Sequence, residues 1–77
     1  MKKTLTMPRL RPEMEKGTLA AWLVEPGDQF GKGDAIYEVE TDKVVNQIEA
    51  DQAGVMKSHL VEEGDQVAVG ADIAEVE

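Results

Sequence analysis

The sequence predicts an all-β domain, two sheets packed as a sandwich about a pseudo-two-fold axis. Three observations carry this: a gapless internal repeat, short runs in which β-branched residues recur, and glycine-centred turns between them. In the repeat, Gly17 to Glu40 matches Gly54 to Glu77 at a constant offset of 37, with 12 of 24 positions identical. The identities run from Gly17/Gly54 through Gly27/Gly64 and Asp28/Asp65 to Glu40/Glu77, so no single patch accounts for them. Two copies are too few for a solenoid, which needs about three stacked units. The economical arrangement is two like halves closed on each other, each half forming one sheet.

Taken in order, Leu5 to Met7 reads as the first strand. Pro8 to Lys16 holds two prolines and five charged residues, which excludes a central strand and predicts an ordered surface loop. Leu19 to Val24, Ile36 to Glu40, Val44 to Glu49, Val55 to Val61 and Ile73 to Glu77 read as the remaining strands. Glu25-Pro26-Gly27-Asp28 and Glu62-Glu63-Gly64-Asp65 place glycine where a positive φ is cheap, and Gly31-Lys32-Gly33-Asp34 punctuates the chain again. No segment shows a helical period. The first copy continues from Glu40 into Thr41-Asp42-Lys43 whereas the second stops at Glu77, so residues 1–77 are read as one domain of a longer chain.

Composition narrows the function. With 77 residues the core is thin and a deep catalytic cleft has no room. The chain has no cysteine and one histidine, which excludes disulfide support and argues against a zinc site. A formal charge of −8 repels phosphate backbones and anionic membranes, so neither nucleic acid nor membrane is an expected partner. Such a charge keeps a domain in solution and can steer it towards basic protein surfaces. Without an apolar run of membrane or signal length, the sequence reads as cytoplasmic, or as mitochondrial matrix if eukaryotic.

The link between the copies, Glu40 to Glu49, reads as strand, tight turn, strand, with Asp42 and Lys43 at its apex. Most hairpin lysines only solubilise a turn. This one stands between two repeats, and an amine there, remote from any core, suits a covalently attached arm.

At this point a family resemblance becomes legible across essentially the whole chain. Met7-Pro8-x-Leu10-x-Pro12-x-Met14-Glu15-x-Gly17-Thr18 is similar to the amino-terminal signature of the lipoyl domains of acyltransferases in 2-oxo acid dehydrogenase complexes, more to the pyruvate or acetoin type than to the 2-oxoglutarate type. Glu40-Thr41-Asp42-Lys43 is similar to that family's modification site. The resemblance implies the biotinyl/lipoyl-carrier fold, a flattened barrel of two four-stranded sheets, with lipoate in amide linkage to Lys43. It implies a swinging arm that is reductively acylated by a thiamine-diphosphate-dependent dehydrogenase component, passes the acyl group to coenzyme A at the acyltransferase catalytic core, and is reoxidised by dihydrolipoamide dehydrogenase. It further implies loading by a lipoate-protein ligase or octanoyl transferase. Asp42 and Val44 flank the lysine, where biotin carriers resemble Met-Lys-Met instead, and Glu40 and Gly27 match positions that the family uses in recognition. Glu40 also reads as an outward strand carboxylate. With no cysteine, nucleophile triad or metal cluster of its own, the chain is expected to be a non-catalytic carrier whose cofactor supplies the sulfur.

The competing readings are a biotinyl carrier, the H-protein of glycine cleavage, and an unmodified lipoyl-like structural adaptor. Asp42 and Val44 argue against biotin, the length against the H-protein, and the direct ten-residue link against adaptors whose halves are separated by a helical hairpin. For Ser58-His59 the sequence identifies no acidic third member, and His59 aligns with Trp22, which favours a structural or surface role. Trp22, Phe30 and Tyr37 read as packing aromatics. Asn46, in the inward run Val44, Asn46, Ile48, is expected to find a hydrogen-bond partner near the hairpin. Asp51-Gln52 stands where family members more often bend through proline.

Overall fold

The computed structural model describes residues 3–42 and 44–77, and every regular element among them is a strand. In chain order these are β1 (Lys3–Thr6), β2 (Lys16–Trp22), β3 (Gln29–Phe30), β4 (Ala35–Thr41), β5 (Val44–Glu49), β6 (Gly54–His59), β7 (Gln66–Ala68) and β8 (Asp72–Val76). They form two four-stranded antiparallel sheets, ordered β1-β8-β6-β3 and β5-β4-β2-β7. The sandwich and its two-fold relation are as the repeat predicts: β2, β3 and β4 correspond to β6, β7 and β8, and β1 stands to β8 as β5 stands to β4.

One expectation is overturned: neither half is a sheet by itself. The short strand of each repeat crosses over, β3 pairing with β6 and β7 with β2. The glycine turns cause the crossing, because their backbones bond to the opposite half. Gly27 N–H donates to Met56 O at 2.7 Å and Met56 N–H to Asp28 O at 2.9 Å; Gly64 N–H donates to Leu19 O at 2.7 Å and Leu19 N–H to Asp65 O at 2.9 Å. These bonds are related by the same offset as the sequence repeat.

The core lies between the sheets, built from Leu19, Trp22, Ile36, Tyr37 and Val39 of one and Met56, Ile73, Ala74 and Val76 of the other. Simple alternation fails where Ile36 and Tyr37, and again Ile73 and Ala74, are buried side by side. A register shift between Ala35 and Tyr37 on β4, and another opposite β8 between Leu5 and Thr6, turns consecutive side chains inward. The loop between β1 and β2 is ordered as expected, but through its methionines: Met7 is 1% exposed and Met14 7%, so both ends are pinned into the core.

Candidate functional site

The β4–β5 ladder runs from Ala35↔Glu49 to Thr41↔Val44, leaving positions 42 and 43 as a two-residue connection. Asp42 takes a φ of 46°, the left-handed conformation that such tight hairpins need to match the twist of their strands. Aspartate tolerates it better than most residues because its short side chain finds local partners. Lys43 lies outside the described residues, as does the expectation about its amine.

The residues around the turn are described. Glu40 is exposed and pairs across to Thr18 on β2 and Val45 on β5. Val44, expected to face inward, is instead 54% exposed and Val45 53%, because this end of β5 runs past the core and is uncovered on both faces. Asn46 meets its expectation: its Nδ2 donates to Val39 O at 3.4 Å and lies 3.5 Å from Thr41 Oγ1, tying β5 back to β4 just below the turn. The hairpin therefore has a hydrogen-bonded base and an apex with exposed flanks, a setting with room for a bulky covalent group.

Sequence reasoning missed Arg11. Its Nη2 pairs with the Asp42 carboxylate, and its Nε lies 3.6 Å from Glu13 Oε1. The β1–β2 loop is built to present it: Arg9 Nη1 donates to Pro12 O at 3.1 Å and Met14 O at 2.6 Å, and Leu10 N–H points at Met14 Sδ at 3.3 Å. Between loop and hairpin runs a groove of about 460 Å³ whose walls include Glu13, Glu15, Glu40 and Asp42 against Arg11 and Lys16. A contact between two segments so far apart in sequence leaves no periodic trace, so only the charge of Arg11 was available to point at it.

Glu40, Asp42 and Val44 are thus brought to one end of the domain, whereas Gly27 is not. It sits beyond the end of β2 that is remote from the hairpin, since Thr18 pairs with Glu40 but Trp22 with Tyr37. Its φ of 99°, matched by 95° at Gly64, gives it a conformational reason to be glycine.

Ser58 and His59 form no catalytic relay. Ser58 Oγ donates to Glu75 Oε1 at 3.2 Å, while His59 Nε2 donates to Val24 O at 2.9 Å. Among the described residues no cluster of His, Cys, Asp or Glu could hold a metal ion. A larger cleft, about 630 Å³, opens at the other end of β4 and β5 among Leu5, Phe30, Ile36, Tyr37 and Ile48, and includes no residue of the turn.

Comparison with known proteins agrees with this geometry. The biotin–lipoyl family, described as biotin-requiring enzyme, matches residues 3–76. The dihydrolipoyllysine-residue acetyltransferase component of the pyruvate dehydrogenase complex of Rhizobium meliloti is 50% identical over 52 residues, covering 68% of this chain and 12% of that protein. That of the acetoin cleaving system of Pseudomonas putida is 44% identical over 54 residues, covering 70% of this chain and 15% of the relative. The chain therefore spans less than a sixth of the length of these relatives. Among solved structures, the lipoyl domain of the 2-oxoglutarate dehydrogenase complex of Azotobacter vinelandii superposes with a TM-score of 0.79 at 30% identity, covering 96% of this chain and 94% of that domain. A single-chain long-chain acyl-CoA carboxylase shares the fold, with a TM-score of 0.80 at 19% identity over 97% of this chain and 7% of its own.

Proposed function

This chain belongs to the biotin–lipoyl family, within which it is a lipoyl carrier domain, and from that premise we propose that Lys43 is the attachment point and that the group it takes is lipoate. The observation that carries the proposal is the two-residue connection closed by Thr41↔Val44, which turns β4 into β5 between the two copies of the repeat and whose second residue in the sequence is Lys43. The exposed flanks of that turn support the attachment of a group far larger than the side chain itself. Asp42 and Val44 as neighbours favour lipoate over biotin, as does dihydrolipoyllysine in the names of the relatives.

When attached, lipoate supplies a strained disulfide able to accept an acyl group and two electrons. The chain's own part is tethering: a covalent arm on a hydrogen-bonded hairpin presents one small group to successive active sites at an effective concentration on the order of millimolar. The sites proposed for it are a thiamine-diphosphate-dependent dehydrogenase component, the acyltransferase core of a parent enzyme and dihydrolipoamide dehydrogenase. A lipoate-protein ligase or octanoyl transferase would load it in the cytoplasm or mitochondrial matrix. The formal charge of −8 supports docking on basic surfaces of such partners.

Co-expression with a lipoate-protein ligase, followed by intact mass spectrometry, tests the reading. The wild-type domain is expected to gain one lipoyl group and Lys43→Arg none, with unchanged circular dichroism. Equal labelling of the variant would sink the site, and attachment of biotin in its place would sink the choice of cofactor.

A further inference from the structure

Arg11 stands out among the exposed residues because its guanidinium is engaged at two atoms by two carboxylates, Nε towards Glu13 and Nη2 towards Asp42. The planar guanidinium offers separate N–H donors in fixed directions, one edge for each carboxylate. The loop that carries it is held at both ends of the stretch 9–14. Arg9 closes the loop through the carbonyls of Pro12 and Met14, and Met14 is buried over Gly17, its Cε 2.8 Å from where a Cβ would stand. At the other end of the pair, Asp42 holds a φ of 46°, a left-handed conformation that costs an L-residue energy unless its surroundings support it. The side chains of Arg11 and Asp42 are 46% and 72% exposed, so the contact adds little to the stability of the whole domain. Its effect is local.

We propose that Arg11 is a positioning residue for the modification site: through Asp42 it straps the β1–β2 loop to the hairpin and fixes the turn in the conformation in which its lysine is loaded. This rests on the reading of Lys43 as the attachment point. In the proposal Arg11 acts on the residue before the lysine.

The test is a double-mutant cycle on the intact 77-residue domain, with Arg11→Gln, Asp42→Asn and both together. Each protein is given lipoate, ATP and a lipoate-protein ligase, and the initial rate of modification is read by intact mass. Arg11→Gln is expected to slow loading about two- to fivefold, the range an exposed ion pair can exert, with a melting midpoint within about 5 °C of wild type. In the Asp42→Asn background the same change is expected to have no effect. Amide exchange at Thr41 and Val44 in the unmodified domain should quicken by a similar factor, a readout independent of any enzyme. Unchanged loading of Arg11→Gln beside a modified wild type would overturn this inference alone, and so would equal slowing with and without Asp42. A wild type that takes up no lipoate would overturn the proposed function and this inference with it.

Discussion

The indole of Trp22 and the imidazole of His59 stack face to face, centroids 4.0 Å apart and planes 4° from parallel, although the two residues occupy the same position in successive repeats. A residue can meet its own repeat-equivalent only on the symmetry axis, so this stack marks where the pseudo-two-fold passes between the sheets. The polar atoms obey the same symmetry. Trp22 Nε1 donates to Val61 O at 3.1 Å and His59 Nε2 to Val24 O at 2.9 Å, and Val24 and Val61 are themselves equivalent. Each ring thus ties the other half's chain where it leaves the strand, and the imidazole must carry its proton on Nε2 to do so.

His59→Ala removes a stacked ring and leaves Val24 O without its donor, which should cost about 1–3 kcal/mol. In a domain of this size that lowers the melting midpoint by about 4–8 °C per kcal/mol. His59→Trp recreates the symmetric pair, and His59→Gln keeps a donor without the ring; the first tests stacking and the second the hydrogen bond. Thermal denaturation of the three variants checks the assignment, and a His59→Ala midpoint equal to wild type would refute it.

Tyr37 provides a pH signature. Burial pushes its hydroxyl from 10.0 up to about 12, while in the unfolded chain it ionises near its ordinary value. Between those pH values the unfolded state holds fewer protons than the folded one, so stability falls as pH rises and is unaffected below pH 10. The loss attributable to Tyr37 should reach about 2–3 kcal/mol by pH 12. The difference in denaturant midpoint between wild type and Tyr37→Phe isolates it from the lysines that titrate in the same range. As the chain has one tyrosine, absorbance at the phenolate band reports the group directly.

The two-fold is broken at Pro26 and Glu63, which occupy equivalent turn positions with unrelated chemistry. Glu63 Oε2 accepts from the Trp22 backbone N–H at 2.8 Å, bracing the strand that carries the stacked indole. Proline can only stiffen its turn. Glu63→Ala should therefore cost about 1 kcal/mol through a lost bond, and Pro26→Ala at most about that through added freedom of the unfolded chain. Combining each with His59→Ala separates them, because Glu63 acts on the residue stacked against His59 and should couple to it, whereas Pro26 should add independently. Additivity of Glu63→Ala with His59→Ala would show the brace to be idle.

Much of this molecule is written in its sequence because the repeat is. The offset of 37 forecast paired turns and a two-fold, and Val44 to Glu49 matches β5 residue for residue. What escaped was of two kinds. Gln29–Phe30 and Gln66–Ala68 are too short to show alternation, and with them went the crossing of each half onto the other's sheet. Long-range pairings of exposed charge were equally invisible: Arg11 looked like one of several charges in a loop, and nothing local distinguishes it from Arg9, which serves its own loop. That Glu40, Asp42 and Val44 lie together at one hairpin was legible from the strand–turn–strand link, whereas the strap holding Asp42 required the fold.

Gly27 offers the sharpest separation of conformational from recognition roles. It was marked by the resemblance, yet it lies away from the hairpin with a φ of 99°, and a Cβ placed on it would meet no atom within 4 Å. The cost of Gly27→Ala is then one of backbone strain alone, about 1–2 kcal/mol. Gly64, equivalent by the repeat, has a φ of 95° and the same open surroundings, so Gly64→Ala should cost the same. Both variants are expected to melt lower by a similar amount and, well below that midpoint, to be lipoylated as fast as wild type. If Gly27→Ala slows loading at a temperature where it is fully folded while Gly64→Ala does not, the enzyme reads that turn directly, and geometry alone does not account for the glycine.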